Sequence, residues 1–195
     1  MILPIIAYGD PVLKKVARKI DQTYPDIKEL IDNMFETMNN AKGIGLAAPQ
    51  VGLSIRLFVV DASPLAKTKG NERLKDFKKV FINPSVIKEE GEEWTYNEGC
   101  LSIPDIREDI ARKTQIFVCY YDENFNLCKE KFTGIEGRII LHEYDHLEGV
   151  LFTDRLSSLR KRLLKRKLTD ISKGNIEVGY KMLYPLKKIH KFETL

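Results

Sequence analysis

The stretch IILHEYDHLEGV, residues 139–150, places two histidines four residues apart, with a glutamate directly after the first. On a helix, residues i and i+4 lie on the same face, so His142 and His146 can direct their imidazoles at one metal ion. Glu143 lies about 100° around the helix axis. From there its carboxylate can take a proton from water without becoming a ligand. The chain has only three histidines, and the pattern predicts a helical metal site with a general base.

The segments around this motif predict an α+β fold, with mostly antiparallel strands around a central helix. Apolar residues recur at helical spacing in three segments, 25–42, 135–150 and 156–168. Runs of β-branched and aromatic residues predict four strands, at 55–60, 79–87, 114–122 and 127–132. The lysine-rich segment 63–78 predicts an exposed loop. In the third helix, the pattern places four leucines on one face: Leu156, Leu159, Leu163 and Leu164.

The chain has 195 residues, 43% hydrophobic and 31% charged, and we expect it to form one domain over residues 1–195. Its net charge of +4 is unevenly distributed. The segment from Arg155 onward contains twelve Lys and Arg and three Asp and Glu residues, a net charge of +9, which leaves −5 on the first 154 residues. A basic helix and tail from about residue 156 favour an anionic partner such as RNA, but the same pattern is equally typical of a solvated helix face.

The composition argues against membrane-spanning and secreted proteins. No apolar run reaches the ~18 residues of a membrane-spanning helix. The opening MILPIIAYGDPVLKK lacks the basic start and the cleavage site of a signal peptide. Three cysteines are too few, and odd in number, for a disulfide framework. We therefore expect a cytoplasmic protein with no membrane partner and no specific DNA target.

The third metal ligand separates the candidate classes of hydrolase. A metzincin needs a histidine ten residues after the first, where this chain has Phe152. A thermolysin-like enzyme needs a downstream glutamate on a second helix, but Glu177 and Glu193 lie in irregular basic stretches, as does the remaining histidine, His190. Cys100, within WTYNEGCLSIPD, is the better candidate. The preceding glycine allows close approach of the backbone, and a thiolate binds borderline-soft ions strongly.

Three separated motifs carry a resemblance to a known family. They are GIGLAAPQ (43–50), EGCLS (98–102) and HEYDH (142–146). In this order and at this separation they resemble the signature motifs of the peptide deformylases, and the likeness extends over about residues 3 to 155. The resemblance implies a metal-dependent hydrolase that removes the formyl group from the N-terminal formylmethionine of nascent polypeptides and releases formate.

The resemblance also implies roles for individual residues. The metal ligands would be Cys100, His142 and His146. The ion would be Fe(II) in cells, although the same ligands also accept Zn, Ni or Co. Glu143 would be the general acid–base, and the Gln50 side chain and Leu101 backbone N–H would donate to the oxyanion. The substrate-binding residues would be Ile44, Gly45, Glu98, Gly99 and Arg107.

Residues beside the motifs have more local interpretations. Ile44 would border the pocket for the methionine side chain, and Gly45 would offer backbone hydrogen bonds to the peptide. Asp145 is expected to pair with a cation, for which Arg112 is a candidate. Arg138, one turn before His142, is expected on the helix surface.

Two other functions remain open at this point. One is a peptidase of the H-E-x-x-H type. It is disfavoured because the chain lacks the third metal ligand that metzincins and thermolysin-like enzymes use. The other is a non-catalytic RNA- or ribosome-binding protein with a structural metal. The basic tail favours it, but a structural site has no use for Glu143 or an oxyanion donor. The tail could also serve the enzyme, since the substrate emerges from a ribosome.

Overall fold

The structure is a computed structural model and describes residues 1–186. His190 and Glu193, considered above as metal ligands, lie outside the described residues. The strands are β1 (Ile5–Ile6), β2 (Gly45–Ala47), β3 (Leu57–Asp61), β4 (Lys78–Cys100), β5 (Ile103–Tyr121), β6 (Leu127–Thr133) and β7 (Met182–Leu183). The α-helices are α1 (Ile27–Asn40), α2 (Gly134–Leu147) and α3 (Ser158–Lys173). The predicted α+β fold is confirmed. Within residues 1–186, no helix has both the length and the apolar character needed to cross a membrane.

Helix α1 confirms the helix predicted over 25–42, shortened at both ends. Ile31, Met34 and Met38 are spaced three and four residues apart, so they share one face, and that face is buried. It packs on β3 in one apolar cluster. The helix thereby anchors the start of the motif at 43–50, which follows it directly.

Strands β2 to β6 form an antiparallel sheet in which the strands lie in chain order. Strands β4 and β5 are much longer than the predicted segments 79–87 and 114–122, and a two-residue turn of Leu101 and Ser102 joins them. The sequence did not indicate this extension because residues 88–98 are largely polar and exposed. Pairing with β5, rather than burial of an apolar face, keeps them extended. The long hairpin carries Cys100 to its tip.

Helix α2 confirms the helix predicted from the histidine motif. It is buried on nearly every side and packs against β2, β5 and β6. After its last turn the chain reverses at Gly149, where φ is +70° and a Cβ would lie 2.6 Å from the Lys14 carbonyl oxygen. Glycine is therefore required at this position. The burial of α2 fixes the direction in which its histidines point.

Helix α3 is present, but its buried face differs from the predicted one. Leu164, Leu168 and Ile171 are buried in a cluster with the N-terminal strand. Leu159 and Leu163 are 59% and 61% exposed, so the prediction is wrong for these two residues. Leucines occur all around this helix, and contact with the rest of the domain selects the stripe at i, i+4 and i+7.

Two connections lie outside the main sheet. The predicted loop over 63–78 is mostly exposed but contains two short 3₁₀ turns, Ser63–Lys67 and Glu72–Leu74, and Leu74 itself is buried. After α3 the chain returns to the N-terminus, where β7 pairs in parallel with β1. We call this pair of strands the terminal ribbon.

Candidate metal centre and active site

Cys100, His142 and His146 meet where the tip of the β4–β5 hairpin faces α2. Each offers one donor atom, and these atoms all lie within 4.8 Å of one another. Cys100 Sγ lies 3.3 Å from His146 Nε2. Bonds of about 2.0–2.3 Å to a tetrahedral ion would separate neighbouring donors by roughly 3.3–3.8 Å. One thiolate and two imidazoles therefore form a donor set that fits a divalent transition metal in both chemistry and spacing.

The two histidines differ in their surroundings. His142 Nδ1 lies 2.9 Å from Glu98 Oε2, so the ring is oriented with Nε2 toward the donor cluster. Burial opposes a charge on His142, but contact with Cys100 and Glu98 raises its pKa, and the proton on Nε2 must leave before that atom can coordinate. Burial lowers the pKa of His146, so this imidazole is neutral, the form that binds metals.

Glu98 is the centre of a buried ion-pair network. Arg112 donates to both of its carboxylate oxygens, at 2.7 and 2.9 Å, and Arg138 donates at 3.0 Å. Burial alone would raise the pKa of Glu98, but the hydrogen bonds from Arg112 and His142 hold it well below its usual range. Glu98 is therefore ionised and keeps His142 fixed. The network continues from Arg112 to Asp145 at 2.7 Å, which is the pairing expected from the sequence.

Glu143 points into the cavity beside the three donors. Its side chain is buried and its Oε2 has no hydrogen-bond partner among the described residues. Burial raises the pKa of Glu143 to about 7, so near neutral pH the carboxyl group can both accept and release a proton. A Cβ at Gly45 would lie 2.3 Å from Glu143 Oε1. Glycine at this position of the first motif therefore makes room for the carboxylate.

Gln50 presents its amide N–H₂ to the same site. Its Oε1 accepts a hydrogen bond from the Ala47 N–H at 2.8 Å, and this contact orients the amide. Nε2 then lies 3.4 Å from Cys100 Sγ and 3.3 Å from Ser102 Oγ. Leu101, next along the turn, packs so closely that a Cβ at Gly43 would lie 2.7 Å from its Cδ1. The first motif (43–50) and the second motif (98–102) are therefore in direct contact at the site.

These residues open onto a cavity of about 600 Å³. All the residues predicted for the site line it except His146, the most deeply buried of the three donor residues. Ile44 lines the cavity together with Ile135 and Ile139 of α2. Gly99 and Arg107 face each other across the hairpin, where Arg107 Nε donates to Asn97 Oδ1 at 2.9 Å.

Sequence reasoning missed several residues around the site. Arg138 was expected on the helix surface, but it is only 3% exposed and donates to the Ile110 carbonyl oxygen at 2.8 Å, so that prediction is wrong. The signal available was its helical spacing of four from His142, on the side that faces the site. Tyr180 lines the cavity from beyond the basic helix, and no motif marked it.

Comparison with known proteins agrees with this geometry. The family model for polypeptide deformylase matches residues 2–162. The chain belongs to the peptide deformylase family. It is 57% identical over 193 residues to the peptide deformylase of Christiangramia forsetii, covering 96% of this chain and 98% of that protein. It is 54% identical to the peptide deformylase of Flavobacterium psychrophilum, covering 96% and 100%.

Solved peptide deformylase structures share the fold. The enzyme from Legionella pneumophila superposes with a TM-score of 0.77 at 32% identity, covering 90% of this chain and 98% of that one. The peptide deformylase from Thermotoga maritima gives a TM-score of 0.71 at 38% identity, covering 80% and 99%. Peptide deformylases are metalloenzymes, and the candidate donor cluster of this chain suits such a role.

Proposed function

We propose that this chain is a metal-dependent peptide deformylase, which hydrolyses the formamide at the N-terminus of formylmethionyl peptides. The supporting observation is that Cys100 and His142 line one cavity together with the Glu143 carboxylate and the Gln50 amide, while the donor atom of His146 lies within 4.8 Å of the other two donor atoms. A structural metal site would need only the donors. The products are formate and a peptide with a free N-terminal methionine.

The residues divide the reaction between them. A divalent ion bound by Cys100, His142 and His146 would act as a Lewis acid toward the formyl carbonyl and the attacking water. Glu143 takes a proton from the water as its oxygen attacks the formyl carbon, and delivers it to the nitrogen as the C–N bond breaks. Gln50 Nε2 and the Leu101 N–H donate to the carbonyl oxygen as it becomes negative. Loss of one such donor typically raises the barrier by about 3–4 kcal/mol.

The cavity suggests how the peptide binds. Strand β2 lies at the edge of the sheet, so an extended peptide can add beside it and pair with the backbone at Gly45. We assign the methionine side chain to the apolar wall that includes Ile44, Ile135 and Ile139. Glu98 and Gly99 border the reacting end, and Arg107 lies where later residues of the peptide would pass.

The direct test is formate release from a short formylmethionyl peptide by protein loaded with metal under anaerobic conditions. Glu143→Gln should retain the metal and lose at least about 100-fold in kcat, since general acid–base catalysis typically contributes that much. Glu148→Gln, at the end of the same helix, is the matched control and should keep its activity. The acetylmethionyl peptide is the control substrate. Full activity in Glu143→Gln would exclude this mechanism.

We propose Fe(II) as the ion in cells, as the family resemblance implies, with Zn, Ni or Co able to bind the same donors. The mixed sulfur and nitrogen donor set supports a borderline-soft ion and disfavours Mg or Ca. Metal analysis of protein purified anaerobically from its native host checks this proposal. Stoichiometric Zn with negligible Fe would contradict it.

We also propose that the chain acts in the cytoplasm as one catalytic domain over residues 1–195, whose basic helix and tail contact the ribosome. Helix α3 supports this, because Arg162, Lys165 and Arg166 are exposed beside the exposed Leu163. Changing these three cations to Glu should weaken co-sedimentation with ribosomes. Binding by the unaltered protein should fall as salt rises.

The matched control changes three exposed lysines of the 63–78 loop to Glu: Lys67, Lys69 and Lys75. An equal loss of ribosome binding in both variants would show that the overall charge of the protein, rather than α3, determines this binding. Binding that is independent of salt would also contradict the proposal.

A further inference from the structure

The chain beyond α3 returns to the active site and forms part of its wall. Residues 177–180 line the cavity, although they lie outside the region matched by the family model. The terminal ribbon then holds this segment in place. The Ile5 N–H donates to the Lys181 carbonyl oxygen and the Ala7 N–H to that of Leu183, each at 2.9 Å.

Two hydrogen-bond donors, one next to each strand of the terminal ribbon, hold the hairpin turn that carries the oxyanion donor. The Tyr180 hydroxyl donates to the Leu101 carbonyl oxygen at 2.8 Å. The Tyr8 N–H donates to the next carbonyl oxygen, that of Ser102, at 2.9 Å. Tyr8 is itself held by α3, because the Ser172 hydroxyl donates to its carbonyl oxygen at 2.8 Å. Both residues of the turn are thus fixed from outside the sheet.

We propose that Tyr180 is a positioning residue for the deformylase reaction, holding the Leu101–Ser102 turn so that the Leu101 N–H stays aimed at the developing oxyanion. This inference rests on the proposed function. Tyr180 touches the turn through a carbonyl oxygen and acts on the reaction only through Leu101.

The physical basis is preorganisation. A donor stabilises a developing charge most when it does not have to move during the reaction. The Leu101 N–H belongs to the peptide plane between Cys100 and Leu101, and rotation of that plane would swing the N–H away from the site. The bond from Tyr180 fixes the next plane, between Leu101 and Ser102. With that plane fixed, the Leu101 backbone between the two planes has less freedom to turn. Its effect should therefore appear in the transition state more than in ground-state binding.

The test compares two tyrosine variants of the metal-loaded protein. Tyr180→Phe removes only the hydroxyl, and we expect kcat for formate release to fall about three- to tenfold, with KM changed less than about twofold and metal content unchanged. Tyr120→Phe is the matched control. It removes a second partly buried, hydrogen-bonded tyrosine hydroxyl, which donates to Glu130, and Tyr120 is not among the residues that line the cavity. Its kcat should not change.

A variant of the cavity wall separates positioning from simple substrate contact. Val178→Ala trims the same wall without altering the Tyr180 hydroxyl, and should raise KM while kcat stays constant. Hydrogen exchange adds a readout that does not require turnover. The amides of residues 100–103 should exchange faster in Tyr180→Phe and at the normal rate in Tyr120→Phe.

Several outcomes would overturn the inference. One is an unchanged kcat in Tyr180→Phe, and another is a rise in KM alone, which would make Tyr180 a substrate contact only. If Tyr180→Phe fails to fold, amide hydrogen exchange in the unaltered protein at low denaturant tests the proposal instead. Residues 100–103 should lose protection together with 180–183, and a turn that stays protected when the ribbon opens contradicts the proposal. An inactive unaltered protein would instead contradict the proposed function.

Discussion

Glu98 shows how one side chain can serve both the fold and the site. It lies at the end of β4, two residues before Cys100, and is only 4% exposed. Its carboxylate accepts hydrogen bonds from two arginines and orients one imidazole. A buried charge is tolerated only when it is paired and hydrogen-bonded. The same contacts that satisfy this requirement also fix the His142 ring in the candidate donor cluster.

Removal of the Glu98 charge should therefore affect stability and metal binding together. Glu98→Gln should lower the free energy of unfolding by about 3–5 kcal/mol, because Arg112 and Arg138 lose a buried partner. Metal affinity should fall about 10- to 100-fold. Urea unfolding and competition with a chelator measure the two effects. Glu108→Gln is the control, since its partner Arg160 is half exposed. The free energy of unfolding of this variant should fall by less than about 1 kcal/mol.

Gly45 gives a second test at this scale. In Gly45→Ala the new methyl group would meet Glu143 Oε1 at 2.3 Å, so the carboxylate has to move. We expect kcat to fall about 10- to 100-fold with metal content unchanged. Gly70→Ala is the control for kcat, because a Cβ there meets no atom within 4 Å and Gly70 does not line the cavity. Its φ of +90° strains an alanine, so this change should cost stability and leave kcat unchanged. An unchanged kcat in Gly45→Ala would show that the Glu143 carboxylate can move away from the added methyl group without loss of activity.

At the scale of elements, the site depends on a hairpin and a helix formed from distant parts of the chain. The β4–β5 hairpin supplies the Cys100 sulfur and the turn with the proposed oxyanion donor, and α2 supplies both imidazoles and the proposed general base. Helix α3 has a different task. It packs through its stripe of Leu164, Leu168 and Ile171 against the N-terminal strand and so supports the terminal ribbon.

Substitutions on α3 should separate its packing face from its exposed face. Leu168→Ala should cost about 2–4 kcal/mol of unfolding free energy, as expected for a buried leucine. Leu163→Ala, at 61% exposure, should cost less than about 0.5 kcal/mol. Urea denaturation of both variants checks this. Equal costs would mean that α3 packs differently in solution.

At the scale of the whole molecule, the candidate metal centre joins two layers of the fold. One ligand comes from the sheet and two come from the buried helix. An ion held by all three would bind the folded chain and not the unfolded one, and would therefore stabilise it by mass action. The terminal ribbon closes the other side of the hairpin turn.

Metal removal should therefore lower the melting temperature. At a free metal concentration 1,000 times Kd the stabilisation is about 4 kcal/mol, which corresponds to roughly 8–16 °C for a chain of this size. Cys100→Ser should lose most of this response to chelator. Cys128→Ser, which lies outside the donor cluster, should keep it. An unchanged response in Cys100→Ser would exclude the thiolate as a ligand.

The sequence by itself determined the helix that carries His142 and His146. Two histidines spaced four residues apart lie on the same face of a helix and can therefore share one ion. It also determined the α+β class, from the periodicity of its apolar residues. The three motifs indicated which residues would share the site, although the distances between them cannot be read from a linear sequence. The roles assigned to the site residues stay predictions until the variants are measured.

Only the tertiary structure decided the rest, because these features depend on partners far away in the chain. The polar residues 88–98 are strand because β5 pairs with them. Arg138 is buried because Glu98 and Ile110 accept its hydrogen bonds. Tyr180 reaches the active site because the terminal ribbon brings the end of the chain back to its beginning. Local propensity contains no information about such contacts, whereas long-range pairing and burial determine them.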